Sequence, residues 1–226
     1  MNVSVVIPTL NEETRLRELI ARLRITAGRA KVEVVVADGG SRDETVAAAR
    51  DAADKTVCAP RGRAAQMHAG ASVATGEILL FLHADTKLPD RWLQSLLDAW
   101  SARPRPGATA FTLGFDRQEG VYPLIAALGN ARTRLTGVPH GDQAIACRRE
   151  DYVRVGGFPL VPIMEEYELL PKLAVLGPVL ILPEAVATSA RRYERNGPLR
   201  NALKNTLMIA LYKAGASHER LARMYR

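Results

Sequence analysis

The apolar residues of the first hundred positions fall into short unbroken runs separated by segments of helical period. Residues 2 to 7, Asn-Val-Ser-Val-Val-Ile, form the first run, closed by Pro8-Thr9-Leu10-Asn11. Leu16, Leu19, Ile20 and Leu23 then recur at helical spacing, with Thr9 and Glu12 or Asn11 as start signals. A second run, Val32 to Ala37, ends in Asp38-Gly39-Gly40-Ser41, and Ser41-Arg42-Asp43-Glu44 has the spacing of a capping box for an alanine-rich helix over 45 to 53. Thr56 to Ala59 reads as a short third strand, Arg63 to Val73 as a helix, and 77 to 82 as a central strand whose five residues Ile78 to Leu82 are all apolar. Runs of this length between turn signals suit strands buried on both faces, and their alternation with helices predicts a parallel sheet in an α/β fold.

The second half is less regular. Ala108 to Phe115 reads as a strand, Val121 to Arg134 as a helix, Gln143 to Cys147 as a strand and Glu165 to Leu176 as a helix, followed by short strands at Val179 to Leu182 and Ala185 to Ser189. The last thirty residues predict one or two basic amphipathic helices, with Leu199, Leu203, Leu207 and Leu211 at four-residue spacing. Packing of that stripe against the domain is the expected role, and attachment to an anionic lipid surface is the alternative.

A chain of 226 residues suits one large domain. Charge then separates its ends. From Arg191 onward there are nine Lys or Arg against two Asp or Glu, which accounts for the whole net charge of +7, so residues 1 to 190 are neutral. The division expected is therefore a domain over 1 to 190 and a basic helical extension over 191 to 226. The same asymmetry argues against nucleic acid spread over the domain and for a local anionic partner, a phosphate group or a membrane surface. The two cysteines, Cys58 and Cys147, are far apart and fit a reducing cytoplasm. The N-terminus lacks signal-peptide features, and no run approaches the roughly 18 apolar residues of a membrane span, so the expectation is a soluble protein, cytoplasmic or peripheral at the inner face of the membrane.

The chemistry begins where the central strand stops. In an open α/β sheet the carboxyl ends of the strands face the ligand crevice, which would deliver His83 and Asp85 to a site. Two residues apart, they share a face if the strand continues, and an imidazole with a carboxylate can hold a divalent cation. Read alone, Asp85 would equally cap a helix starting near Pro89. No Gly-x-Gly-x-x-Gly follows the first strand, which excludes a Rossmann dinucleotide site, and a Walker loop is absent too. Asp38 nevertheless ends the second strand where a carboxylate can accept hydrogen bonds from a base or ribose, with Gly39 and Gly40 letting the backbone close in.

Val-Val-Ile-Pro-Thr-Leu-Asn-Glu-Glu at 5 to 13, Ala-Asp-Gly-Gly-Ser-Arg-Asp-Glu-Thr at 37 to 45 and Gly-Glu-Ile-Leu-Leu-Phe-Leu-His-Ala-Asp-Thr at 76 to 86 together resemble the family 2 glycosyltransferases of the GT-A fold. The His-Ala-Asp-Thr form resembles a subfamily associated with radical-SAM or selenoprotein-domain genes. The resemblance implies a nucleotide-binding half over about 1 to 100 and an acceptor half over about 101 to 190. It implies transfer of a sugar from a UDP- or GDP-linked donor to an acceptor hydroxyl, with inversion and with Mn2+ or Mg2+ as cofactor.

Residue by residue, the resemblance assigns the nucleotide to Pro8, Thr9, Glu12 and Asp38, with Arg63 near the base or diphosphate. The family's Asp-x-Asp metal motif corresponds to His83-Ala84-Asp85, where Asp85 survives, His83 replaces the first acid and Ala84 lies against the nucleotide. Glu166, within Met164-Glu165-Glu166-Tyr167-Glu168-Leu169, aligns with the catalytic base, and Glu165 or Asp142 of Gly141-Asp142-Gln143 stand as alternatives. A carboxylate there must reach the acceptor hydroxyl with a pKa suited to taking its proton. The bland alternative is a solvated first turn of a helix. Ser189-Ala190-Arg191-Arg192-Tyr193 resembles a degenerate Gln-x-x-Arg-Trp motif, whose arginines, Arg191 and Arg192, would clamp the diphosphate. His140 is a further candidate contact. Two rivals remain at this point: a nucleotidyltransferase of related topology, and a non-catalytic nucleotide-sugar or lipid-binding module.

Overall fold

The computed structural model describes residues 1–225. In chain order the elements are β1 (Val3–Thr9), α1 (Glu13–Ala27), β2 (Val32–Asp38), α2 (Thr45–Ala52), β3 (Lys55–Cys58), α3 (Arg63–Val73), β4 (Ile78–Phe81), β5 (Thr86–Lys87) and α4 (Trp92–Ser101). The second half continues with β6 (Ala108–Thr112), α5 (Tyr122–Thr136), β7 (Ala146–Arg148), α6 (Arg149–Arg154), α7 (Glu165–Ala174), β8 (Val179–Ala185), β9 (Ala187–Thr188), α8 (Arg191–Asn196), α9 (Pro198–Lys213) and α10 (His218–Tyr225). Among these residues seven strands form one sheet in the order β3-β2-β1-β4-β7-β6-β8, and β5 pairs with β9 in a small second sheet. β3, β2, β1 and β4 run parallel, whereas β7 is antiparallel to both of its neighbours.

Side-chain alternation splits the apolar strands between two cores. Val5, Ile7, Val34, Val36 and Leu80 face α1, α2 and α4, which contribute Leu16, Ile20, Ala48 and Trp92. Val6, Val35, Leu79 and Phe81 face the other way, onto Met67 of α3 and Leu169 and Leu173 of α7. Both faces being covered explains why the runs are continuous rather than alternating. On this second face α3 lies so close to β1 that a Cβ on Gly70 would stand 2.4 Å from Val6 Cγ1.

The loops after β1 and β2 are stitched to each other, which corrects two expected caps. Asn11 and Thr9 do not start α1; its N-cap is Glu12, with no side-chain cap bond. Asn11 instead accepts from the Arg42 N–H at 2.9 Å and donates its own N–H to Ser41 Oγ, also at 2.9 Å. Ser41 is committed to Asp38, so the Ser41–Glu44 capping box does not form, and α2 starts at Thr45, whose N–H is accepted by Asp43. Gln66 ties the strand ends from below, donating to the carbonyls of Thr9 and Ala37 at 2.6 and 3.0 Å.

Other boundaries differ for identifiable reasons. β4 ends at Phe81, so His83 and Asp85 stand in a turn rather than on a continuing strand. Gln143 is in a 3-10 turn, Gly141–Gln143, because its buried amide bonds the Phe111 carbonyl, and β7 begins only at Ala146. The two late strands are both present with shifted bounds: β8 runs on through Pro183 to Ala185 beside a register shift in β6, and the second shortens to the two-residue β9. The C-terminal stripe is reversed from expectation. α9 buries Asn201, Met208 and Ile209, while Leu199, Leu203 and Leu207 are exposed.

Gly70→Ala is expected to lower folding stability by ~1–2 kcal/mol, an overpacking cost of ~2–3, at the upper end because the added Cβ meets Val6 at 2.4 Å, against a helix-propensity gain of about 1. Urea unfolding checks this; wild-type stability would show that α3 can retreat from β1 at no cost.

Candidate active site

A cleft of about 570 Å3 opens at the carboxyl ends of β1 and β4. Its first wall comes from the N-terminal half of the chain: Pro8, Thr9 and Glu12 from the β1 loop, then Gly62 and Arg63 at the start of α3. Asp38 is not on that wall. Its carboxylate is consumed by the turn it feeds, accepting from the N–H groups of Gly40 and Ser41 at 2.8 and 2.9 Å and from the Ser41 hydroxyl. It therefore shapes the loop behind Thr9, which donates to it at 3.4 Å, rather than presenting free oxygens to a ligand. Arg63 reaches across the cleft, with Nε 3.0 Å from Glu165 Oε1.

The floor is the His83-Ala84-Asp85 turn. Leu82 N–H still bonds the Val6 carbonyl, Thr86 N–H returns to the His83 carbonyl, and Ser189 N–H takes the Asp85 carbonyl, so the turn is held from three sides. Asp85 lines the cleft and caps no helix; α4 begins at Trp92 with Arg91 as N-cap. His83 Nε2 is buried without a hydrogen-bond partner. Burial, reinforced by Arg63 and Arg192, depresses its pKa to about 3, so the imidazole is neutral at ordinary pH and keeps a lone pair. Asp142 Oδ1 is a second buried orphan in the same cleft, on a carboxyl whose pKa burial raises.

No group of three protein metal ligands is assembled among the described residues. One carboxylate and one neutral imidazole suit a divalent cation that completes its shell from phosphate oxygens. The donor set therefore fits the metal that the motif implies, provided a phosphorylated ligand is bound with it.

The opposite wall is acidic and buried. Met164 enters α7 with a φ of 65°, which turns the first residues of the helix inward. Glu165 is 1% and Glu166 6% exposed, so the reading of a solvated first turn is wrong. Glu166 Oε1 accepts from the Gly141 N–H at 2.8 Å. Burial, and next the neighbouring Glu165, push its pKa up to about 7 against the pull of Arg63. Of the three candidate bases, Glu165 is committed to Arg63 and does not line the cleft, whereas Glu166 and Asp142 both do. His140 also lines it, with its ring nitrogens engaged by Arg132 and Tyr167.

The basic tail closes the cleft. Arg192 lies over the Tyr225 ring, 4.3 Å from its centroid, and donates to its hydroxyl. Arg191 lines a second depression of about 240 Å3 that shares Ala84, Asp85 and Ser189 with the cleft, its guanidinium 3.9 Å from Glu12 Oε2. The two arginines flank the His83-Ala84-Asp85 turn and do not form one clamp in this structure. Tyr193, Asn201, Asn205 and Tyr225 also line the cleft. Apart from Tyr193, these were not foreseen; the available signal was the pair of asparagines, four residues apart, on the face of α9 opposite its leucine stripe.

The family model of Glycosyl transferase family 2 matches residues 4–155. Over 172 residues the chain is 28% identical to the pre-mycofactocin glycosyltransferase of Mycobacterium tuberculosis, covering 70% of this chain and 35% of that protein, so it spans about a third of the length of that curated relative. The structure of the mannosyltransferase PcManGT from Pyrobaculum calidifontis, in complex with GDP-Man and Mn2+, is 28% identical, with a TM-score of 0.59 over 82% of this chain and 56% of that one. Glucosyl-3-phosphoglycerate synthase from Mycobacterium tuberculosis, solved with Mn2+, UDP and phosphoglyceric acid, reaches a TM-score of 0.66 at 20% identity over 96% and 79% of the two chains. S. aureus TarS 1-349 reaches 0.66 at 17% identity over 99% and 69%. At these identities the last two establish a shared fold alone.

Arg63→Met is expected to cost ~2–4 kcal/mol of stability by stranding Glu165 in the interior, toward the low end for a buried pair because the guanidinium is partly exposed. Arg63→Met with Glu165→Leu should recover most of the loss. Urea unfolding of both variants checks the pairing, and a single variant as stable as wild type contradicts it.

Proposed function

The chain belongs to glycosyl transferase family 2, and on that premise we propose that it transfers a sugar from a nucleoside diphosphate sugar to an acceptor hydroxyl. The observation that carries this reading is the facing of two unlike walls across one cleft. On one side stand Asp85 and a neutral His83; on the other stands Glu166, a buried carboxyl that releases its proton near pH 7.

In this reading Pro8, Thr9, Glu12 and Ala84 take the nucleotide, and Asp38 holds the loop that presents Thr9. Asp85, with His83, would hold Mn2+ or Mg2+, which when bound offsets the charge of the diphosphate. Arg63 and Arg192 add fixed positive charge beside the leaving group, Arg192 by exchanging Tyr225 for a phosphate. Glu166 takes the proton of the acceptor hydroxyl, and the oxygen then displaces the nucleoside diphosphate directly, with inversion at the sugar carbon. The bond formed is from acceptor oxygen to sugar, the bond broken is from sugar to diphosphate, and the proton stays on Glu166 until it reaches solvent. Gly141 N–H orients Glu166 for this step and Glu165 helps set its pKa.

The relatives solved with GDP-Man and Mn2+, or with UDP and Mn2+, support a UDP- or GDP-linked donor and a cation of this kind. A lipid-linked acceptor and a cytoplasmic location, peripheral at the inner face of the membrane, suit the basic tail. No helix among the described residues is long and apolar enough to cross a membrane. The nucleotidyltransferase reading lacks the Gly-rich basic loop after β1 that it requires. A module decayed to binding alone gives no account of a carboxyl buried and tuned to neutral pH.

Because Glu166 acts only when ionised, the transfer rate should climb as pH rises through about 7 and level off above it. Glu166→Gln should cut the rate by ~10²–10⁴ and abolish this pH dependence while donor binding persists. Radiolabelled sugar transfer over pH 5 to 9, with donor affinity in parallel, is the test; an undiminished rate removes Glu166 from the role.

A further inference from the structure

α5 and α9 touch through a small core, Ile125 and Ala126 of the first against Ala202 of the second, and each turns a leucine stripe to solvent. On α5, Leu124, Leu128 and Leu135 follow one face at steps of four and seven, and Leu135 is 87% exposed. On α9, Leu199, Leu203 and Leu207 follow at steps of four, with Leu203 71% exposed. The opposite face of α9, through Asn205, Met208 and Ile209, lines the cleft. The fold needs only the inward faces of these helices to be apolar. Exposed leucines on two helices in contact mark an interaction surface.

Charge selects the partner. Neither helix contains an Asp or Glu, while α5 carries Arg132 and Arg134 and α9 carries Arg200, Lys204 and Lys213. Arg134, Arg200 and Lys213 are exposed beside the stripes. A second copy of the chain would set these cations against their own kind, with no acid on either helix to answer them. Leucines flanked by cations match the headgroup boundary of an anionic bilayer, where apolar burial and electrostatic attraction add.

We propose that the outer face of α5 and α9 docks on an anionic lipid surface, with the leucines inserted at the headgroup boundary and Arg134, Arg200 and Lys213 against the phosphates. One side of α9 then faces lipid and the other faces the cleft, so the acceptor site lies about one helix diameter, ~10 Å, from the bilayer. The consequence for the acceptor, that it is carried on a lipid, rests on the transfer reading above; the docking itself does not.

The test is flotation of the full chain with vesicles of phosphatidylcholine alone, or with a third phosphatidylglycerol, at low and high salt. Wild type should float only with the anionic vesicles, and less so at high salt. Leu203→Glu with Leu207→Glu should weaken this at least about tenfold, and removal of each exposed cation by substitution with Gln roughly fivefold. Nucleotide affinity and melting temperature should stay at wild-type values in both variants, which separates lost docking from a lost donor site or a lost fold. The proposal is overturned by absence of flotation with anionic vesicles, by equal flotation with neutral ones, or by leucine variants that float like wild type. A concentration-dependent wild-type dimer that the leucine variants abolish would assign the face to a second copy instead.

Discussion

Gly141 is the residue on which the two sides of the cleft close. A Cβ at this position would lie 2.7 Å from Glu166 Oε1 and 2.7 Å from His83 Nε2, so only glycine lets the loop after α5 pass between them. The contact serves both walls at once. The Gly141 N–H orients the Glu166 carboxylate, and the absent side chain leaves His83 Nε2 close to it but unbonded. The 3-10 turn that carries Gly141 is in turn fixed by Gln143, which accepts from the His140 N–H and from the Thr133 hydroxyl and donates to the Phe111 carbonyl. A site assembled from β4, α7 and this turn thus has its spacing set by backbone packing rather than by flexible side chains.

The electrostatics follow from that enclosure. Two adjacent glutamates are buried at the start of α7, and a single nearby guanidinium, Arg63, pairs directly with one of them. The unpaired member, Glu166, therefore holds its proton to about pH 7, while the same burial and the same arginine keep His83 neutral. One desolvated pocket moves an acid up and a base down, leaving a proton acceptor on one wall and uncharged nitrogen on the other. The depression beyond Asp85, with Arg191 in it, keeps further positive charge on the other side of the His83-Ala84-Asp85 turn.

The strand and helix alternation of the first hundred residues was legible because β1, β2 and β4 are buried on both faces and read as unbroken apolar runs. The three motifs at the ends of those strands were legible as a family resemblance, and His83, Asp85, Arg63 and Glu166 do converge on one cleft. What failed was local bookkeeping of polar groups. Ser41 has the spacing of a helix cap, yet Asp38 claims its hydroxyl. Such competition between neighbours separated by a turn leaves no trace in residue spacing. The leucine stripe of α9 misled in another way. Four-residue spacing announces an apolar face but not its direction, and the inward direction was marked by Asn201 and Asn205, which a reading for hydrophobicity passes over. Arg191 and Arg192 likewise look equivalent in sequence, and one helical step of about 100° sends them to different sides of Asp85.

The central claim is that this cleft binds a nucleoside diphosphate together with a divalent cation held through Asp85. Calorimetric titration of UDP and of GDP, with and without Mn2+ or Mg2+, into wild type and Asp85→Ala tests it most directly. The account predicts that one nucleotide binds more tightly with the cation present and that the substitution removes this dependence. Absence of binding by either nucleotide under every cation condition, or an Asp85→Ala protein with unchanged cation dependence, would contradict it.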